Sequence, residues 1–220
     1  MSQGEMRRLA DGPQAARARQ DAEKHLRDVV HTYDKDTGLT LAMVTVDDSC
    51  GTGAESVWPS EDDRYRIRCT LAVAGYYGAD PDRIGDELNG IFSAGDRHTS
   101  GTAPDGSIPF GHDDYRTKLV AYYRGKGPNP VGPATQEPRL VSDPSQTLEW
   151  DAVRSRGHRS LIEEPPACAK SDPPVRRCFH EPEPRAVADI RRRYGMVFRL
   201  TESHVQYYEV YKDGRTYTHG

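Results

Sequence analysis

From Pro13 to Tyr33 apolar residues recur at three- and four-residue steps, at Ala15, Ala18, Ala22, Leu26, Val29 and Tyr33, with charged residues between them. That spacing predicts an amphipathic helix laid on a sheet. Residues 39–46 read as a strand, Leu39, Leu41 and Met43 alternating with smaller side chains. The clearest period of two follows: Tyr65, Ile67, Cys69, Leu71 and Val73 alternate with Arg64, Arg66, Arg68, Thr70 and Ala72. It predicts a strand with one buried face and one basic, solvated face. Asp80-Pro81 opens a short helix carrying Ile84, Leu88 and Ile91, with Asp80 as its cap.

Residues 93–114 read as a long polar loop, 115–124 as a strand, and 147–153 as another. Glu183-Pro184 opens a second short helix to about Arg193. The chain then closes in a hairpin, 196–200 and 204–212, reversing near Glu202-Ser203. Residues 1–12 read as a disordered or linker segment. The remainder, 13–220, is expected to form one α+β domain, with a subdomain boundary near the Gly/Pro-rich stretch 125–138. The predicted architecture is a mainly antiparallel sheet of about five or six strands, with the N-terminal helix and two short helices packed on it.

Composition adjusts this picture. The chain has 220 residues, 35% hydrophobic and 29% charged, with 20 Gly and 16 Pro, so its interior is thin and much of it is loop. A net charge of −4 argues against a general nucleic-acid binder. No apolar run approaches the roughly 20 residues of a membrane-spanning helix, and no signal peptide is visible, so any membrane anchor is expected upstream. Lysine occurs only at 24, 35, 118, 126, 170 and 212 against abundant Arg, with many Asp, Gly, Pro and Ala. In this the chain resembles exported or membrane-anchored proteins of unknown function from high-GC actinobacteria.

Cys50, Cys69, Cys168 and Cys178 form two sequence-local pairs. Cys50 follows one predicted strand and Cys69 lies in the next. Cys168 and Cys178 bracket a stretch with Pro173 and Pro174 that is expected to be irregular. Two disulfides, Cys50–Cys69 and Cys168–Cys178, are the expected pairing. They imply an oxidising compartment, extracellular or in the cell envelope; free thiols in a cytoplasmic protein are the alternative. The close spacing of a structural zinc site is missing.

Two groups of residues suggest chemistry. The tyrosine pairs 76-77, 122-123 and 207-208 recur at strand ends. Neighbours there point to opposite faces, so Tyr77, Tyr122 and Tyr208 are candidates for an outward aromatic platform that binds carbohydrate or protein. In the polar loop, His98, His112, Asp113 and Asp114 are candidate metal ligands or acid/base groups. No nucleophile elbow, phosphate loop or dinucleotide fingerprint is present, and no cofactor is expected. The leading expectation is a non-catalytic extracytoplasmic binding module. A metal-dependent or acid/base hydrolase using the 93–114 loop, and a cytosolic regulatory or structural protein, are the alternatives.

Overall fold

The computed structural model describes residues 1–52, 64–99, 108–133, 136–154, 160–167, 175–182 and 186–218. It is an α+β fold. Two strands form its spine, β1 (Thr40–Gly51) and β2 (Tyr65–Ala79), which pair antiparallel from Thr40↔Gly78 to Gly51↔Arg68. β5 (Val175–Glu181) pairs with the free edge of β1. The other edge of β2 is filled by β6 (Met196–Glu202) along Ala74–Ala79 and by β7 (Val205–Tyr211) along Tyr65–Leu71. Beyond β6 come β4 (Gln146–Trp150) and β3 (Leu140–Ser142), and beyond β7 comes β8 (Thr216–Thr218). Every pairing is antiparallel.

The expected closing hairpin is therefore not one. Both β6 and β7 run antiparallel to β2 and do not pair with each other, so 196–211 is one strand interrupted at Ser203-His204. The polar Glu202-Ser203 step interrupts the strand without reversing it, and the tight reversal lies later, at Lys212–Arg215 between β7 and β8.

The long helix is α2 (Pro13–Asp36), opened by a proline at its first turn. The whole predicted stripe is buried, joined by Val30. Its alanine half allows close approach to β2 and β7, and its Leu/Val/Tyr half fills the space beside Ile67, Leu71, Val73 and Tyr77. Residues 1–12, expected as linker, instead hold α1 (Gln3–Ala10), whose first turn is capped by Ser2. Met6 and Ala10 are buried in the main core, which gives so short a helix a tertiary reason to form.

Two further corrections concern the middle of the chain. A 3₁₀ turn (Pro81–Arg83) capped by Asp80 leads into α3 (Ile84–Thr99), longer than expected, so Asp96 and His98 are helical. Residues expected as a strand at 115–124 form α4 (Asp114–Tyr123). Asp113 caps it by accepting the Arg116 N–H at 2.7 Å, and Leu119, Val120 and Tyr123 are the residues it buries. The Gly/Pro segment after α4 does not separate two cores. Trp150 Nε1 donates to the Tyr123 hydroxyl at 2.9 Å, and that hydroxyl donates to Glu137 at 3.0 Å, so both flanks meet in one buried network.

A second, smaller cluster lies on the opposite side of the sheet. α5 (Val187–Tyr194) and the 160–167 segment cover Met43, Tyr76 and Val197 with Val187, Ile190 and Ile162. Asp151, almost fully buried, fastens this layer. Its carboxylate accepts the N–H groups of Ile162 (2.7 Å) and Val197 (2.9 Å) and two bonds from the Arg191 guanidinium. Glu164 caps the start of α5 through the N–H groups of Val187 and Ala188.

Candidate interaction surface

Cys50 and Cys69 are directly opposed across β1 and β2 and form a buried disulfide, S–S 2.04 Å, Cα–Cα 4.0 Å. Cys178 lies on β5 opposite Asp47 and carries no free thiol, whereas Cys168 lies outside the described residues. The stretch expected to be irregular is strand from Val175, because it completes the edge of β1. Beside the disulfide, the Tyr207 hydroxyl donates to Asp48 at 2.7 Å, and Arg19 of α2 pairs with Asp48 at 2.8 Å. Burial raises the Asp48 carboxyl above its ordinary range, against the pull of Tyr207, Arg19 and Arg177. A cross-link spanning 19 residues removes loop entropy from the unfolded chain. The Cys50→Ala/Cys69→Ala variant is expected to lower unfolding free energy by about 3 kcal/mol in urea titrations.

The His/Asp candidates do not converge. His98 on α3 contacts Asp36 at the end of α2, Nε2 to Oδ2 3.0 Å. His112 contacts Asp96, Nδ1 to Oδ2 2.6 Å, and its backbone N–H donates to the same carboxylate. That hydrogen bonding holds the Asp96 carboxyl below its ordinary range. Asp113 is the α4 cap, and Asp114 pairs with Lys118 one turn on. Helix ends use these residues to close their own backbone and to tie α2, α3 and α4 together. No group of three or more His, Cys, Asp or Glu is placed to hold a metal ion among the described residues.

The proposed tyrosine platform is also corrected. Tyr77 is fully buried under α2 and donates to the Val30 carbonyl at 2.8 Å. Its neighbour Tyr76 points the other way but lies under α5. Tyr208 is buried as well: a bulge at Tyr207 in the β2–β7 ladder sends both 207 and 208 into the main core. Tyr122 is half-buried on α4, with Arg154 4.5 Å above its ring.

A different set of tyrosines reaches the surface, Tyr217 exposed and Tyr65 and Tyr211 partly so. A second bulge, at Arg66, sets Tyr65 against Tyr211 and takes Tyr65 off the buried face that Ile67 begins. On β8, Tyr217 stands opposite Glu209 and so shares that side of the sheet. The three rings run in series, Tyr65 to Tyr211 at 4.7 Å and Tyr211 to Tyr217 at 5.5 Å. Arg68 lies 3.9 Å over Tyr65 and Arg215 5.3 Å over Tyr211. Tyr65 and Tyr211 are half-exposed and Tyr217 is 49% exposed. A hydrogen bond with Tyr65 pushes the Tyr211 hydroxyl up to about 12, so it stays protonated at ordinary pH.

The rings end a stretch of sheet that α5 does not reach. Its floor is made of small half-exposed residues, Thr45, Ser49, Thr70 and Ala72. Across it lie two arginine–carboxylate pairs, Arg176–Asp47 and Arg68–Glu209, the latter with its carboxylate buried; a third, Arg199–Glu149, lies further along, where Arg199 stands opposite Tyr76. Of the basic face expected on β2, Arg68, Thr70 and Ala72 lie here, whereas the bulge turns Arg66 to the helix side, where it pairs with Glu5 of α1. Guanidinium N–H groups and carboxylate oxygens offer donors and acceptors side by side, and the rings offer flat apolar area. Sequence reading missed Tyr65 because alternation alone cannot register a bulge.

A groove of about 520 Å³ on the other side runs between α2 and β5, lined by Arg19, Glu23, Arg27 and Arg177 among others. Its charges pair internally, Arg177 and Arg27 with Glu23, and Arg27 also with Glu181. They join helix to sheet. No helix among the described residues is long and apolar enough to cross a membrane. No family model, curated protein or solved structure matches the chain.

Proposed function

We propose that the chain is a non-catalytic, extracytoplasmic binding module, and that its binding surface is the open sheet end carrying Tyr65, Tyr211 and Tyr217. The ring series carries the reading: Tyr217, exposed, and Tyr65 and Tyr211, partly exposed, are held in a row by the β2–β7–β8 ladder. Rigid tyrosine rings lose little conformational freedom on contact and supply area together with a hydroxyl. The oxidised Cys50–Cys69 pair supports an oxidising compartment. The acid/base residues suggested by the sequence are engaged in caps and interhelical bonds, which supports binding over hydrolysis.

The test is co-sedimentation of the purified protein with the washed, insoluble cell envelope of its source. The parent protein is expected to pellet, and the Tyr211→Ala/Tyr217→Ala variant to remain largely in the supernatant. Both side chains lie outside the two cores, so thermal unfolding of the variant is expected to match the parent. A parent that stays in the supernatant, or a variant that pellets equally, would reject the reading.

A further inference from the structure

We infer that the junction between β6 and β7 is a latch worked by one proton: when Glu202 loses it, residues 202–204 and the β3–β4 turn part, the carboxylate reaches water, and the rest of the sheet stays paired. The latch is independent of the binding reading above.

The junction is held by few bonds. β2 pairs with β6 only as far as Ala74↔Thr201 and with β7 from Leu71↔Val205, so Glu202, Ser203 and His204 form no pair with it. Their one ladder partner is Gln146, opposite Glu202 at the end of β4. The β3–β4 turn supplies the other ties. Ser203 donates its backbone N–H to the Ser145 carbonyl at 2.8 Å and its hydroxyl to the Pro144 carbonyl at 2.9 Å. The turn itself is closed by two backbone bonds between Asp143 and Gln146. Pro144, Ser145, Ser203 and His204 are all exposed, whereas the next residue on each strand, Gln146 and Glu202, is buried. The clasp is therefore a surface feature with a carboxyl enclosed beside it.

Nothing described around that carboxyl is placed to hold it as an anion. Glu202 is 5% exposed, and its Oε1 has no hydrogen-bond partner among the described residues. Its titratable neighbours are Tyr33 on α2 and Tyr77 on β2, both kept protonated by burial. Their hydroxyls donate elsewhere, to Gln146 and to the Val30 carbonyl. The charged groups around the same two tyrosines are Asp34 on α2, Asp143 in the turn and Arg116 on α4. Both acids would repel a carboxylate, and the Arg116 guanidinium is engaged by Gly111 and Asp113. A protonated carboxyl can remain in such a place. An ionised one must find water, and undoing the ties of one turn is a smaller change than unfolding the sheet.

The experiment is amide hydrogen exchange read by NMR on the native, disulfide-bonded protein between pH 5 and 8, with and without urea below the unfolding transition. The N–H groups of Asp143, Gln146 and Ser203 report the latch, and those of the β1–β2 pairing report the sheet. Burial pushes Glu202 up to about 8, so across this range only the opened junction releases the proton. Protection of the three latch amides is expected to fall about tenfold per pH unit. It is expected to be insensitive to urea, the mark of an opening that exposes little surface. Glu202→Gln is expected to abolish the pH dependence. Ser203→Ala, which takes away only the hydroxyl tie, is expected to lower latch protection about fivefold at every pH and to leave the slope unchanged. Latch amides as sensitive to urea as the β1–β2 amides would show that Glu202 meets water only on global unfolding, and would overturn the latch. Protection that is flat with pH in the parent, a slope that survives Glu202→Gln, or a Ser203→Ala variant protected like the parent would each overturn it as well.

Discussion

Stability is expected to fall by about 1.4 kcal/mol for each pH unit between pH 4.5 and about 8, a total of roughly 5 kcal/mol, because of one carboxyl group. Glu202 ends β6 with its side chain buried, and its Oε1 has no hydrogen-bond partner among the described residues. Burial pushes it from 4.5 up to about 8. It stands opposite Gln146, whose Oε1 is occupied by the Tyr33 hydroxyl at 2.6 Å. Below pH 4.5 folded and unfolded chains both hold the proton, and the full stability is present. Between 4.5 and 8 only the unfolded chain releases it, so rising pH favours unfolding. Above 8 both are ionised and the loss is complete. Glu202→Gln keeps the shape and cannot ionise. Urea titrations across this range should show a steep decline in the parent that is largely gone in the variant, which at pH 8 should be the more stable. Parallel curves would show that the carboxyl finds solvation in the folded protein.

Asp151→Ala is expected to cost about 3–5 kcal/mol. The buried carboxylate accepts from two backbone N–H groups and holds Arg191, so its removal strands a guanidinium and two donors at once. It joins the end of β4, β6, α5 and the 160–167 segment, and the loss should be felt locally first. Hydrogen exchange should speed up across α5 and 160–167 before the β1–β2 pairing is affected, and the second core cluster should become accessible to a hydrophobic dye. A uniform loss of protection would instead place Asp151 in a single cooperative unit with the main core.

The fold was legible where one element faces one environment. α2 has a polar side and an apolar side, and its whole stripe is buried as read. The interior side of β2 from Ile67 onward is likewise as read. Legibility failed where tertiary contacts overrule local pattern. Leu119, Ala121 and Tyr123 alternate as in a strand, but the Asp113 cap and the surface offered by α3 make them helical. α1 is too short to declare itself and exists because Met6 and Ala10 find the core. The candidate surface was half legible. Of the arginines that alternate on β2, Arg68 lies on the expected side and Arg66 does not, and of the three rings expected to face outward Tyr77 and Tyr208 are buried. Tyr77, Tyr76 and Tyr208 are covered because each side of the sheet is packed at their positions. Tyr65 was placed inward because one extra residue, Arg66, reverses everything before it. The cross-strand disulfide was legible because local strand pairing sufficed. Glu202 was invisible, since nothing in a Thr-Glu-Ser sequence tells which side of an interrupted strand will be enclosed.

That interrupted strand has a consequence for how the molecule is made. β1 and β2 can zip together early, being neighbours in sequence, but the other rail of β2 stays vacant until residues 196–211 have been synthesised. Contacts so distant in sequence fold slowly. Until that last segment is made, the β1–β2 pair lacks the strand that completes its second edge, and the burial of Tyr77 and Ile67 waits on it.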